Sequence, residues 1–208
     1  MSNMKKLFSP LFQNKTEHEV ITVVSGLPRS GTSLMMSMLE AGGMMVLTDN
    51  KRTADIDNPE GYHEYEQVKD LAKGNYSWLS KARGKGVKVI STLLPYLPMQ
   101  HRYRIIFMRR DMAEILASQK KMIINRGEDP DKISDTQMTQ IFEKNLRQIE
   151  EWINTHPNIT KMDVSYNQLL RDPESLVHQV NQFVGGNLDM NKMLSVINPN
   201  LYRQRFAK

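Results

Sequence analysis

The chain has 208 residues, of which 39% are hydrophobic and 25% charged, with a net charge of +5. That length and balance suit one soluble domain with a sizeable core. The absence of cysteine excludes disulfides, thiolate metal sites, iron–sulfur clusters and a cysteine nucleophile, and fits a reducing cytoplasm, where the protein is expected. The basic excess suits an anionic ligand, yet no Lys/Arg tract with interleaved aromatics points to nucleic acid. No stretch nears the roughly 20 apolar residues of a membrane span, and the N-terminus lacks a signal-peptide run.

Residues 1–19 read as a polar lead-in and residues 20–208 as one domain. Apolar runs at Val20–Ser25, Val87–Ser91, Arg104–Met108 and Thr160–Ser165 are short and rich in Val, Ile, Met or Phe, as strands covered on both faces are. A helix over Thr32–Ala41 stops at Gly42–Gly43. The stretch "DNPEGYHEYEQV" reads as a turn leading into a helix, with Tyr62 and Glu64 on one extended face. A helix over Asp111–Ile124 carries Ile115, Leu116, Gln119, Met122 and Ile123 on one side. Gly127–Gln140 reads as a connecting loop that shapes an acceptor pocket, and Thr136–Thr155 as a long amphipathic helix stopped before Pro157. Asp172 caps, and Pro173 opens, a helix over Glu174–Val184 that Gly185–Gly186 ends. Strands alternating with helices in this order predict a three-layer α/β/α domain with a mainly parallel sheet.

The chemistry concentrates in "SGLPRSGTS", between the first strand and the first helix. Gly26 and Gly31 let the backbone turn closely around an anion. The amides of Ser30, Gly31, Thr32 and Ser33, with the helix dipole, are placed to bind it, and the hydroxyls of Ser30, Thr32 and Ser33 add donors. The glycine spacing matches the phosphate loop of nucleoside triphosphatases, but Thr32 takes the position of the essential lysine. The strong cation is Arg29 instead, and no neighbouring carboxylates suggest a magnesium site. The ligand this implies is a nucleotide whose 5′-phosphate carries another leaving unit.

"PRSGTS" after a strand resembles the 5′-phosphosulfate loop of the sulfotransferases that use 3′-phosphoadenosine-5′-phosphosulfate (PAPS). The resemblance implies a P-loop NTPase-like sulfotransferase fold and assigns Pro28, Arg29, Ser30, Gly31, Thr32 and Ser33 to the donor. It also implies a 3′-phosphate site made by a strand-end arginine and a serine eight residues on; "RRDMAEILAS" supplies Arg110 and Ser118 at that separation. "VSYNQLLRDPE" is similar to a family segment whose tyrosine approaches adenine, which points to Tyr166. The tail "NPNLYRQRFAK" offers Arg203 and Arg205 to the 3′-phosphate, as family members often do.

Sulfuryl transfer needs a base for the acceptor proton and a cation at the leaving oxygen. Arg29 is the expected cation, with Lys88 second, because a lysine in an apolar strand must find a charge or a crevice. The base is expected in the acidic stretch: Glu64 first, with Glu60 and His63 as alternatives. The expectation is a metal-independent transferase acting on a hydroxyl of a glycan, a peptide tyrosine or a small alcohol, with no metal ligands and an open oligomeric state. Two rivals keep the loop: a P-loop small-molecule or nucleotide kinase, and a nucleotide-binding module without activity.

Overall fold

The computed structural model describes residues 19–49, 51–52, 54–55, 58 and 61–198. At its centre lies a parallel sheet of β1 (Ile21–Gly26), β2 (Val46–Leu47), β3 (Gly86–Lys88), β4 (Tyr103–Arg109) and β5 (Ile159–Ser165), in the order β2-β3-β1-β4-β5. β1 pairs with β4 from Ile21↔Tyr103 to Gly26↔Met108, so the two strands end level with each other. Ile21, Val23, Val24, Ile105, Ile106 and Phe107 are sealed from solvent. Covered on both faces, these strands need apolar residues at successive positions rather than alternate ones.

One face carries α1 (Thr32–Ala41), α5 (Tyr166–Arg171), α6 (Pro173–Val184) and α7 (Met190–Ser195), packed on Val24, Ile106, Met108 and Val164. The other carries α2 (Leu79–Ala82), α4 (Asp135–Asn154) and the 3-10 segments Glu66–Lys73 and Ser91–Tyr96, packed on Ile21, Val23, Val87, Ile105 and Phe107. This is the three-layer α/β/α arrangement expected from the alternating patterns. α1 buries Met35, Met36, Met38 and Leu39 completely, each such side chain contributing about 1.5–3 kcal/mol. α3 (Met112–Asn125) starts where the Asp111 carboxylate accepts from the Ala113 and Glu114 amides. Ser134 and Gln137 form a capping box at α4, and Asp172 and Pro173 open α6 as the sequence implies.

Several boundaries differ from expectation. The segment after Gly61 runs without regular structure to Tyr65 and then forms a 3-10 segment, not the expected helix. The capping box starts α4 at Asp135, so only the first part of Gly127–Gln140 is loop. Of the apolar side expected on α3, Ile115 is buried, but its buried companions are the polar Glu114 and Ser118. β2, α5 and α7 are too short for periodicity to reveal.

β1 sends the chain to α1 on one face. Its neighbour β4 sends it through α3 to α4, which covers the other. The carboxyl ends of two adjacent strands whose connections part in this way flank a crevice, the usual ligand position in open α/β sheets.

Candidate active site

The turn after β1 is held by conformations that few residues adopt. Arg29 sits at φ 68 and Gly31 at φ 99. A non-glycine residue in that region stores strain and is typical of functional loops. Gly31 tolerates no side chain, because a Cβ there would lie 2.4 Å from the Tyr166 ring. No side chain caps α1, so its leading amides and the positive end of its dipole are left for a ligand. Pro28, Arg29, Gly31, Thr32 and Ser33 line a cleft of about 420 Å³, within the usual range for small-molecule sites.

Ser30 departs from the expected role. Its amide donates to the Leu27 carbonyl at 3.2 Å. Its hydroxyl is buried beneath the loop, within 2.4 Å of where a Gly26 side chain would begin. Ser30 does not line the cleft, and its hydroxyl has no hydrogen-bond partner among the described residues.

Arg110, Ser118 and Tyr166 all line the cleft, and their contacts join them to the loop. Arg29 Nε donates to Ser118 Oγ at 2.9 Å. An Arg110 terminal nitrogen donates to the Arg29 carbonyl at 3.0 Å. The Arg110 guanidinium lies over the Tyr166 ring, 4.7 Å from its centroid, a stacking distance at which a cation and ring attract. Arg110 Nε is bound at 2.9 Å by Glu114, whose other oxygen accepts from Asn167 Nδ2 at 2.9 Å. Burial raises the Tyr166 phenol above its ordinary pKa, so the ring stays neutral between loop and guanidinium. The sequence separates an Arg29 clamp from an Arg110/Ser118 clamp; the structure interlocks the two.

Opposite them stands Lys88, at the end of β3. Its ammonium donates to Ser33 Oγ at 3.1 Å and to the Tyr62 carbonyl at 2.9 Å. Both acceptors are neutral. Burial pulls its pKa down to about 8, with nearby Glu64 opposing the shift. Asn58 Nδ2 also donates to Ser33 Oγ, at 3.0 Å, and its other amide hydrogen goes to the Gly61 carbonyl. With Lys88 and Asn58 filling its acceptor positions, the Ser33 hydroxyl is left to donate its own hydrogen.

Glu64 and Tyr62 line the same cleft. Glu64 pairs with Arg52 at 2.9 Å, and the Arg52 guanidinium covers the Tyr62 ring at 3.4 Å. The Tyr62 hydroxyl donates to the Asp55 carboxylate at 2.7 Å, and burial, then that bond, raises its pKa.

His63 is not brought to this group. At φ 48 its side chain turns away and its Nε2 meets Glu40 Oε2 at 3.0 Å, near the end of α1. Glu60, Arg203 and Arg205 lie outside the described residues. None of Gly127–Gln140 lines the cleft; its outer wall is the preceding turn of α3, with Lys121, Met122 and Arg126. Sequence reasoning missed Arg52, Asn58 and Glu114. The position of Glu114, four residues after Arg110 on one helix, is the signal that was available for it.

A parallel sheet whose crevice opens between two divergent connections defines the class: a three-layer α/β/α domain. The chain belongs to the sulfotransferase domain family, whose model matches residues 21–204, and this is a family of transferases. The fold is similar to that of a sulfotransferase domain from the olefin synthase of Synechococcus PCC 7002, at 16% identity and a TM-score of 0.51, covering 88% of this chain and 79% of that one. It is also similar to a sulfotransferase domain from the curacin biosynthetic pathway, at 14% identity and a TM-score of 0.50, covering 86% and 77%. None of the curated proteins matches the chain. Among the described residues no group of His, Asp and Glu gathers as a metal-binding cluster, and no helix is long and apolar enough to cross a membrane.

Proposed function

We propose that the chain transfers a sulfuryl group from PAPS to a hydroxyl-type acceptor. One observation carries this reading: Arg29, Lys88 and Arg110, from three different strand ends, face one cleft beside an uncapped helix. The residues fit the donor. Gly31, at positive φ, turns the loop tightly into α1, the first amides of α1 have no side-chain cap, and Arg110 and Ser118 line the same cleft with donors of the kind phosphate prefers. The donor supplies an activated sulfuryl group on a phosphate leaving group.

The protein's own part is positioning and electrostatics, as in phosphoryl transfer. The first amides of α1 and the Ser33 hydroxyl hold the 5′ end. Arg110 and Ser118 hold the 3′-phosphate, and Tyr166 lies between the two ends. Lys88, desolvated and without a carboxylate contact, places a positive charge at the reacting group, and Arg29 adds a second. Glu64 is the base that accepts the acceptor hydroxyl proton, and release from Arg52 frees its carboxylate to do so.

The test is calorimetric titration with adenosine 3′,5′-bisphosphate, followed by a labelled-sulfate screen of alcohols, phenols and glycans. Binding of the bisphosphate, with sulfate transferred to a hydroxyl, is expected. Magnesium-dependent ATP turnover in its place would overturn the assignment.

A further inference from the structure

The donor's anionic ends do not use every cation in the cleft. Lys121 and Arg126 line its outer wall from α3. Both are exposed, and neither has an ion-pair partner among the described residues, whereas their neighbour Lys120 is held by Asp131 at 2.8 Å. Arg126 lies eight residues beyond Ser118, roughly 12 Å along the helix at 1.5 Å per residue. The pair therefore lies beyond Ser118 on α3, Lys121 by about one turn and Arg126 by about two.

Packing shows which side of the cleft this is. α3 rests through Ile115 on Leu27 and on Phe142 of α4. On α4, Asn145 accepts from the Ser91 hydroxyl at 2.7 Å. Ile90, next to Ser91, lines the cleft and is 48% exposed. The outer turns of α3 and Ile90 thus border the opening on the α4 side, while Tyr166 stands on the α1 side. Ile90 and Met122 add apolar surface to the wall of the same cleft. Gln119 also lines it, and its Oε1 is buried with no hydrogen-bond partner among the described residues.

We infer that the acceptor is an alcohol whose far end carries an anionic group, held by Lys121 and Arg126. This rests on the donor reading above and adds the acceptor's class. The hydroxyl lies by Lys88 and Glu64, and an apolar spacer runs along Ile90 and Met122. A phosphate ester and a carboxylate share the required chemistry.

The experiment uses the full chain saturated with adenosine 3′,5′-bisphosphate and titrated by calorimetry with hexane-1,6-diol, 6-hydroxyhexanoate and 6-hydroxyhexyl phosphate at one ionic strength. The charged compounds are expected to bind about tenfold or more tightly than the diol. That margin disappears in a Lys121→Ala/Arg126→Ala variant whose bisphosphate affinity is unchanged. A margin seen with the phosphate alone identifies a phosphate ester, and a margin seen with both acids shows that a carboxylate suffices. The proposal is overturned if neither acid outbinds the diol, or if the variant loses affinity for the bisphosphate, which would give the pair to the donor. Failure of the unaltered protein to bind the bisphosphate would instead overturn the donor reading itself, and the acceptor proposal with it.

Discussion

Arg29 and Ser118 are 89 residues apart in the chain and 2.9 Å apart in space, the guanidinium of the loop donating to the hydroxyl of α3. Ser118→Ala removes that acceptor while leaving the helix intact. A single hydrogen bond contributes about 0.5–1.5 kcal/mol, so affinity for adenosine 3′,5′-bisphosphate should fall by up to roughly tenfold. Calorimetry with the purified variant reads this directly.

Arg110→Ala should weaken the bisphosphate by about 10–100-fold, the range for hydrogen bonds to a charged group, and affect adenosine 5′-phosphate far less. Equal losses would refute a 3′-phosphate role. The Glu114 side chain, 4% exposed, loses its ion pair with Arg110 in this change, which costs roughly 3–5 kcal/mol of stability. An Arg110→Met/Glu114→Gln variant should restore the melting temperature without restoring the selectivity.

Lys88 links activity to pH. Its folded pKa, about 8, lies below the ordinary 10.5, so between those values the unfolded chain binds more protons. The cost of burying the charge is therefore full below about pH 8 and relieved as pH rises toward 10.5, by about 3 kcal/mol in all. Lys88→Met should be more stable than the parent at pH 7 and should lack this rise in thermal denaturation measured against pH. Affinity for the bisphosphate in the parent should decline above pH 8 as the ammonium is lost, and this limb should be absent in the variant.

Glu64→Gln should lower kcat by about 10²–10⁴-fold, as expected for losing a general base, with bisphosphate affinity preserved. Unchanged turnover in a labelled-sulfate assay would remove Glu64 from the chemistry.

Gly31→Ala forces a methyl group against Tyr166 at a positive φ. Strain and overpacking together should cost about 1–3 kcal/mol, visible as a lowered melting temperature. Tyr166→Ala in the same chain should recover only the part due to the ring.

Much of the donor end was legible because its chemistry is local in sequence. Two glycines five apart, a strand before and a helix after them, and an arginine between them are all read from one short stretch. Lys88 was legible as an anomaly, a charged residue inside an apolar run expected to be a strand over Val87–Ser91; the strand is shorter, Gly86–Lys88, so that Lys88 ends it. The pairing of Ser118 with Arg29, and of Arg110 with Glu114, was not, because nothing local says which of two nearby hydroxyls or acids a guanidinium will choose. The acidic segment was harder still. Tyr62 and Glu64 were expected on one extended face and both line the cleft, but with no periodicity between Gly61 and Tyr65 the sequence does not reveal that His63, between them, turns back to Glu40. The outer wall was misplaced for a different reason: it was expected in the loop after α3, whereas the cleft is bounded by α3 itself, at Ser118, Gln119, Lys121 and Met122.

The unusual backbone of Arg29 is not maintained by the loop alone, since its carbonyl is gripped by the guanidinium of Arg110, just after β4. On the proposed reading, the shape of the 5′ end is thereby stored partly in the residue that serves the 3′ end. A fragment engaging only one end meets a cradle whose other half has not settled, and the complete nucleotide should bind more tightly than its two halves taken separately would suggest.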